Sequence, residues 1–352
     1  MSTAIPVREI AGFDFLSAAQ YQGGATPLYS SMEAVDTGPY GGQAARMQTS
    51  GAVGTRTLAR QSDYTAIPNG SGFTIGGHIR LNPSGGTNSP TAHRYFILST
   101  AGGATQVASI ANGNNIRSLS IRNAANTLVA EGSTILVSGL WYHVELVGTI
   151  GTSVTLSLYL NGVLECTASG VNCGTTAAAR WASQVSATTG GSNYSLNIDN
   201  VFIAATATQL GERLVNKIMP AVEGADTAWT ANTGTKVSRV NDATSYDSDT
   251  GYIYSSIPGD RETFTVDALL TGATPDAVKV TATSRKDDAT TRQVTSVVRT
   301  GGTDYDHTTL TAGLTTSYGS FEWMYDQRPD ATDWASSDFG ASAAEFGVKL
   351  AT

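Results

Sequence analysis

The stretch Leu140-Trp141-Tyr142-His143-Val144-Glu145-Leu146-Val147 decides the fold when taken with Val154-Thr155-Leu156-Ser157-Leu158-Tyr159-Leu160-Asn161-Gly162-Val163. Both runs alternate with a period of two. Trp141, His143, Glu145 and Val147 share one side of the first, and Leu140, Tyr142, Val144 and Leu146 share the other. Val154, Leu156, Leu158 and Leu160 line one side of the second, opposite Thr155, Ser157, Tyr159 and Asn161. This pattern predicts two strands joined through residues 148–153. Asn161-Gly162 predicts a tight turn into a third strand, because both residues tolerate positive φ. Consecutive hairpins make a sheet with one apolar face, which a second sheet has to cover.

The rest of the composition agrees. Only 14% of the 352 residues are charged, while glycine reaches 38. Almost no window offers the Glu, Lys, Leu, Ala and Arg of a long helix at 3.6 spacing, so the chain favours many short strands and turns. No apolar run is long enough to span a bilayer, which needs about 18 residues or more. The start, MSTAIPVREIAGFDF, lacks a basic stretch followed by an apolar core. The expectation is therefore a product made in a cytoplasm without a secretory signal.

Charge is unevenly placed. Residues 1–210 carry nine bases and nine acids, whereas residues 211–352 carry 12 bases and 20 acids. The whole net charge of −8 thus lies in the second part, which argues against nucleic acid as a partner. The change near residue 210 also suggests a domain boundary. Cys166 and Cys173 are expected to be reduced thiols, since a disulfide there would close a very short loop and gain little.

Taken in order, residues 1–11 read as an N-terminal arm without periodicity. Residues 12–207 read as the first β domain, with strands expected at 73–81, 94–98, 105–111, 116–122 and 127–131, then the two central runs, then 194–203. Residues 171–183 read as a loop. A connecting segment, 208–226, includes an ambiguous piece at 210–219 taken as a connecting strand. Residues 227–352 read as an acidic β jelly-roll domain, with strands at 252–257, 262–269, 277–285, 292–299, 318–325 and 345–350. Asp288 and its neighbours suit a hairpin turn there.

Several of these pieces resemble a known family. Gly12-Phe13-Asp14-Phe15, Gly41-Gly42-Gln43-Ala44, Trp141-Tyr142-His143-Val144-Glu145, Leu160-Asn161-Gly162-Val163 and Ile198-Asp199-Asn200-Val201 resemble the concanavalin A-like lectin/glucanase sandwich. The match is to its laminin-G-like branch, which recurs in virion proteins of tailed bacteriophages. The second half is similar to the module that follows it there, through Ala228-Trp229-Thr230, Arg285-Lys286-Asp287-Asp288, Arg299-Thr300-Gly301-Gly302-Thr303-Asp304-Tyr305, Trp334-Ala335-Ser336-Ser337-Asp338 and Phe346-Gly347-Val348-Lys349-Leu350. The resemblance implies an all-β chain: an antiparallel concanavalin A-like sandwich plus a smaller β-sandwich or jelly roll. Trp141, Tyr142, Asn161, Gly162, Asp199 and Asn200 are then fold-signature residues with structural roles. It further implies a structural protein on the exterior of a phage particle, as a capsid decoration or tail-associated component. Its partners would be capsid or tail subunits and further copies of itself. The alternative is a glycan-binding adhesin on host polysaccharide.

The chemistry points away from an enzyme. Glycoside hydrolysis needs two carboxylates about 5–10 Å apart, and hydrolases of this fold place them in an E-x-D-x-x-E strand pattern that is absent here. Glu145 is the lone acid on its strand, Glu165 lies past the turn, and Asp199 has Asn197 and Val201 as strand neighbours. A lone carboxylate without a partner cannot do acid/base work, so Asp199 is read as fixing the last strand. His143 shares a side with Glu145, but no Ser or Cys elbow accompanies them, and His78, His93 and His307 are scattered. No phosphate-binding glycine loop occurs. No cofactor is expected. The nearest thing to one is calcium, from the half-loop Asp247-Ser248-Asp249-Thr250-Gly251 and the pair Asp304 and Asp306, both of which suit ordinary turns. Trp181, Tyr194, Trp229, Tyr252, Tyr254, Trp323 and Trp334 could stack on sugars, yet aromatics also build large β cores.

Overall fold

The computed structural model describes residues 6–11, 34–40, 42–50, 54–59, 64–84, 93–115, 117–187, 193–241, 248–269, 272–307, 312–340 and 343–351. Contacts divide these into two units, 6–216 and 217–351.

The first unit holds β1 (Val7–Ala11), β2 (Ala34–Thr37), β3 (Gln43–Ser50), β4 (Gly54–Ala59), β5 (Gly72–Ser84), β6 (Arg94–Thr100) and β7 (Gln106–Asn112). There follow β8 (Leu119–Arg122), β9 (Leu128–Glu131), β10 (Trp141–Thr149), β11 (Val154–Leu160), β12 (Val163–Val171), β13 (Ala178–Ala187) and β14 (Asn193–Ala204). An eight-stranded sheet runs β12-β11-β10-β5-β14-β3-β2, with β1 added on β14. A six-stranded sheet runs β4-β13-β6-β7-β8-β9. Every pairing is antiparallel. The predicted alternation holds: Val144 and Leu146 of β10 and Leu156, Leu158 and Leu160 of β11 face the core. There they meet Phe96 and Leu98 of β6, Ile110 of β7 and Trp181 of β13. This is the aligned two-layer burial that a half-apolar sheet demands.

The hairpin turn is as its residues require. Asn161 and Gly162 take φ of 48° and 82°, the left-handed pair of a two-residue turn. Asn161 also closes on β10: its backbone N–H donates to the His143 carbonyl, and its side-chain oxygen accepts from the His143 N–H.

Three expectations about the chain's organisation differ from what is seen. The arm at 1–11 contains β1, which pairs with β14 and buries Val7 and Ala11, because its alternate residues face the sandwich. The loop at 171–183 includes the start of β13, whose Trp181 is a wholly buried core side chain. The first unit extends past 207 to residue 216, and 210–219 forms no strand: the N–H groups of Leu210, Gly211 and Val215 are met by Glu145 and Asn200 side chains instead of by a neighbouring strand. The 208–226 connector is thus divided, and its last part belongs to a strand of the second unit.

That second unit holds β15 (Pro220–Thr227), β16 (Thr230–Ala231), β17 (Ile253–Tyr254), β18 (Arg261–Val266), β19 (Val278–Ser284) and β20 (Gln293–Thr300). It continues with β21 (Thr303–Asp306), β22 (Ala312–Gly313), β23 (Gly319–Tyr325) and β24 (Glu345–Leu350). The main sheet runs β15-β18-β24-β20-β21, with β22 on β20, and β19 pairs β23 separately. Its core is aromatic: Trp334, Phe339 and Phe346 lie with ring centroids 5.7–5.9 Å apart, beside Trp323. Trp181, Trp323 and Trp334 are therefore packing residues, whereas Tyr252 and Tyr254 are exposed. Together the two units make the chain all-β.

Truncating the predicted core should be costly. Leu158→Ala removes a wholly buried side chain and is expected to cost about 2–5 kcal/mol in urea unfolding. A loss under about 1 kcal/mol would place Leu158 outside the core. Gly162→Ala forces a Cβ into the left-handed region and is expected to cost about 1–2 kcal/mol.

Candidate functional site

The eight-stranded sheet turns its second face away from the core, and polar residues collect there. On β5 these are Thr74, Gly76, His78, Arg80 and Asn82, alternating with the core residues Phe73, Ile75, Ile79 and Leu81. On β10 they are Trp141, His143 and Glu145. The register sets His143 opposite His78, Trp141 opposite Arg80 and Glu145 opposite Gly76. On the other flank Asn197 stands opposite Arg80, and Asp199 opposite His78.

A bulge reshapes this face. The β14–β5 register slips between Asp199 and Phe202, with Asn200 in the left-handed region at φ 51°. Asparagine tolerates that conformation better than other non-glycine residues. Phe202 then falls opposite Gly76 on the polar face and stacks on His143, centroids 6.1 Å apart at 11°. A Cβ on residue 76 would come within 2.7 Å of the Phe202 ring, so glycine is required there.

Residues 205–216 form a strap held to this face by side chains of the sheet. Thr74 Oγ1 donates to the carbonyls of Thr206 and Thr208 at 2.8 and 2.9 Å. Glu145, wholly buried, accepts from the backbone N–H of Leu210 at 2.6 Å and of Gly211 at 3.0 Å. Asn200 Oδ1 accepts from Val215 N at 2.7 Å. Gln209 Nε2 donates to the Gly162 carbonyl at 2.9 Å, tying the strap to the β11–β12 turn. Burial raises the Glu145 carboxyl above its ordinary range, and the two backbone N–H groups oppose that rise.

At the strap's centre, Glu212 accepts from His78 Nε2 at 2.7 Å and from the Tyr40 hydroxyl. Tyr40 meets the His78 ring edge-on at 5.6 Å. The Tyr40 and His78 hydrogen bonds hold the Glu212 carboxyl below its usual range. Burial, with the carboxylate's help, pushes the Tyr40 hydroxyl up to about 12. His78 and His143 lie 5.4 Å apart, both buried. Burial depresses both imidazoles, and His143, with His78 beside it, falls to about 4. His78 Nδ1 and His143 Nε2 have no hydrogen-bond partner among the described residues.

Next to the strap, a half-buried strip remains. Arg80 lies over the Trp141 ring at 4.9 Å and reaches Asp36 at 2.8 Å. Asn197 Nδ2 donates to the same Asp36 oxygen at 3.0 Å and its side-chain oxygen accepts from Asn82 Nδ2 at 3.0 Å. Tyr40, 61% exposed, stands on the same face against His78. The result is a chain of planar polar groups with the Trp141 ring at one end and the wholly buried Asn197 joining Asp36 to Asn82.

The residues singled out from sequence mostly have structural work. Tyr142 accepts at its hydroxyl oxygen from the Val137 N–H at 2.8 Å. Asp199 accepts from the Asn200 N–H at 2.8 Å and from its side-chain amide at 3.3 Å. Glu165 accepts from both the N–H and the hydroxyl of Thr134, each at 2.8 Å, and is half-buried rather than free. Of the calcium half-loop, Asp247 lies outside the described residues, and Asp249 pairs with Arg285 and Tyr318. Asp304 pairs with Arg299, and Asp306 with Arg261 and Lys349. No cluster of three metal-binding side chains occurs among the described residues. Cys166 and Cys173 are free thiols, raised by burial to about 11. Glu212 and Tyr40 carried no sequence signal: each stands in an aperiodic stretch far from its partners. The alternation of β5 did mark His78 as a neighbour of Arg80, but not of His143.

No protein-family model matches the chain, and no curated protein matches it in sequence. Among solved structures it is similar to an endo-β-1,4-glucuronan lyase from Trichoderma reesei, with 12% identity over 59% of this chain and 100% of that one, at TM-score 0.42. A lectin from Ulex europaeus bound to a methyl fucoside aligns over 56% of this chain and 98% of its own, with 10% identity and TM-score 0.38. The carbohydrate-binding module CBM66 from Bacillus subtilis aligns over 50% and 95%, with 14% identity and TM-score 0.34. These likenesses are of fold.

Glu145 should prove an anchor. Glu145→Gln sets an amide NH2 against a backbone N–H and is expected to cost about 1–3 kcal/mol. Limited proteolysis of this variant should cut first within residues 205–216. Stability and cleavage equal to the parent protein would remove the anchoring role.

Proposed function

We propose that this chain is a non-catalytic, glycan-contacting display protein of the lectin type. The observation that carries this is the strip Arg80, Trp141, Asp36 and Asn82, held in place from beneath by the buried Asn197. Recognition of a polyhydroxylated ring uses planar donors and acceptors for adjacent hydroxyls, together with an aromatic edge for the apolar C–H side. The strip offers both on a rigid sheet. The carboxylates that hydrolysis would need are otherwise engaged: Glu145 holds two strap N–H groups, and Asp199 holds Asn200.

The setting we propose is the exterior of a tailed-phage particle, with capsid or tail subunits as docking partners. Support for this setting comes from the ordered resemblance across both halves of the sequence and from the acidic second half.

A glycan array with the recombinant chain tests the first statement. Binding is expected, and Trp141→Ala and Arg80→Ala should each weaken it about tenfold or more. Silence across the array at high protein concentration, or cleavage of the bound polysaccharide, would sink the reading. Mass spectrometry of purified particles tests the setting: the protein should be present in many copies, and its absence counts against virion display.

A further inference from the structure

The strap covers two neutral imidazoles that have no way to accept a proton without cost. His78 and His143 are 2% and 4% exposed, their rings 5.4 Å apart. Each has a buried ring nitrogen without a hydrogen-bond partner among the described residues. The strap itself has no helix or strand, and its backbone N–H groups at Leu210, Gly211 and Val215 are held by Glu145 and Asn200 side chains of the sheet. We propose that residues 205–216 are an acid-released cover, which lifts from the polar face when the His78–His143 pair takes up protons.

The charges around the pair decide the sign. From β5 and β10 come Arg80 and Glu145, from β14 Asp199, from the strap Glu212 and Arg213, and from the β2 side Asp36 and Tyr40. Burial lowers both imidazoles in the closed form, and their ordinary value is near 6.5. The open form therefore binds more protons, and closure loses stability as pH falls below that ordinary value, down towards the closed-form value of about 4 for His143. Glu212, held below its usual range, adds to this loss at still lower pH. Glu145 works the other way, since burial makes the closed form favour its proton. Glu212, while ionised, also favours charge on both imidazoles, but burial outweighs it and both stay lowered in the closed form. Arg213 adds to the repulsion felt by a charged His143.

The cover lies on the same polar face as the strip read above as glycan-contacting, so that its release would extend that face, and only this purpose rests on that reading. Hydrogen exchange on the whole chain tests it, with protection corrected for the intrinsic rate. Between about pH 7.5 and about pH 5, peptides covering Leu210, Gly211 and Val215 should lose about tenfold or more in protection. Peptides covering Ile75, Val144 and Leu146 should keep theirs. The double variant His78→Gln, His143→Gln should flatten the pH response, and the wild-type profile stands without it if that variant folds poorly. Constant strap protection, or equal loss in core peptides, overturns the proposal. Array binding measured at both pH values separates the two ideas. An acid-opened strap with no glycan bound at either pH sinks the glycan reading alone, and glycan binding with a flat strap profile sinks the cover alone.

Discussion

The buried Glu145 carboxylate, bonded to the N–H groups of Leu210 and Gly211, is the contact on which the polar face depends. Taking an ionised carboxyl out of water is expensive unless its oxygens are met by donors. Two backbone N–H groups meet that need, and the carboxylate meets theirs. An irregular segment cannot satisfy its own backbone as a strand or helix does, so it must borrow partners. Thr74, Glu145 and Asn200 lend them, which is why polar side chains persist on the inner strands of a large sheet. Breaking any one leaves a buried side-chain group of the sheet without that partner.

Backbone geometry makes these contacts possible. The β14 bulge gives one strand an extra residue, and Asn200 absorbs it in a left-handed conformation. That single shift moves Phe202 to the polar side, where it packs on His143, and aims the Asn200 amide at the strap. Gly76 clears the space that Phe202 fills. The same face is thus divided in two. One part is consumed in holding residues 205–216, while the strip from Trp141 to Asp36 stays half-open and rich in planar polar groups. In the second unit, likewise, a buried charge is matched: Lys236 meets the wholly buried Glu262 at 2.9 Å, and Glu262 also accepts from Trp229 N–H.

Much of the fold is legible in the order of residues alone. The strands at 73–81, 141–147 and 154–160 announce themselves by alternation, and β24 matches its expected span residue for residue. Asn161-Gly162 announces its turn. β1 and the start of β13 are not legible in that way. Five residues near a terminus give too little periodicity, and the Ala-rich start of β13 looks like loop until Trp181 is seen in the core. The candidate site is legible by halves. Trp141, His143 and Glu145 can be placed on one face from their spacing, but what they touch cannot.

The sequence by itself determined the all-β architecture, the hairpins about residue 161 and the side of the sheet on which each polar residue of β10 falls. These follow from the chemistry of consecutive residues, because a strand sends alternate side chains to opposite faces. Only the tertiary structure decided that His78 lies against His143, that Glu145 is an anchor, and that Glu212 reaches His78 from 134 residues away. Those contacts join segments whose separation carries no periodic signal. They exist only once the sheet has closed and a strap without its own hydrogen-bonding pattern has found partners on it.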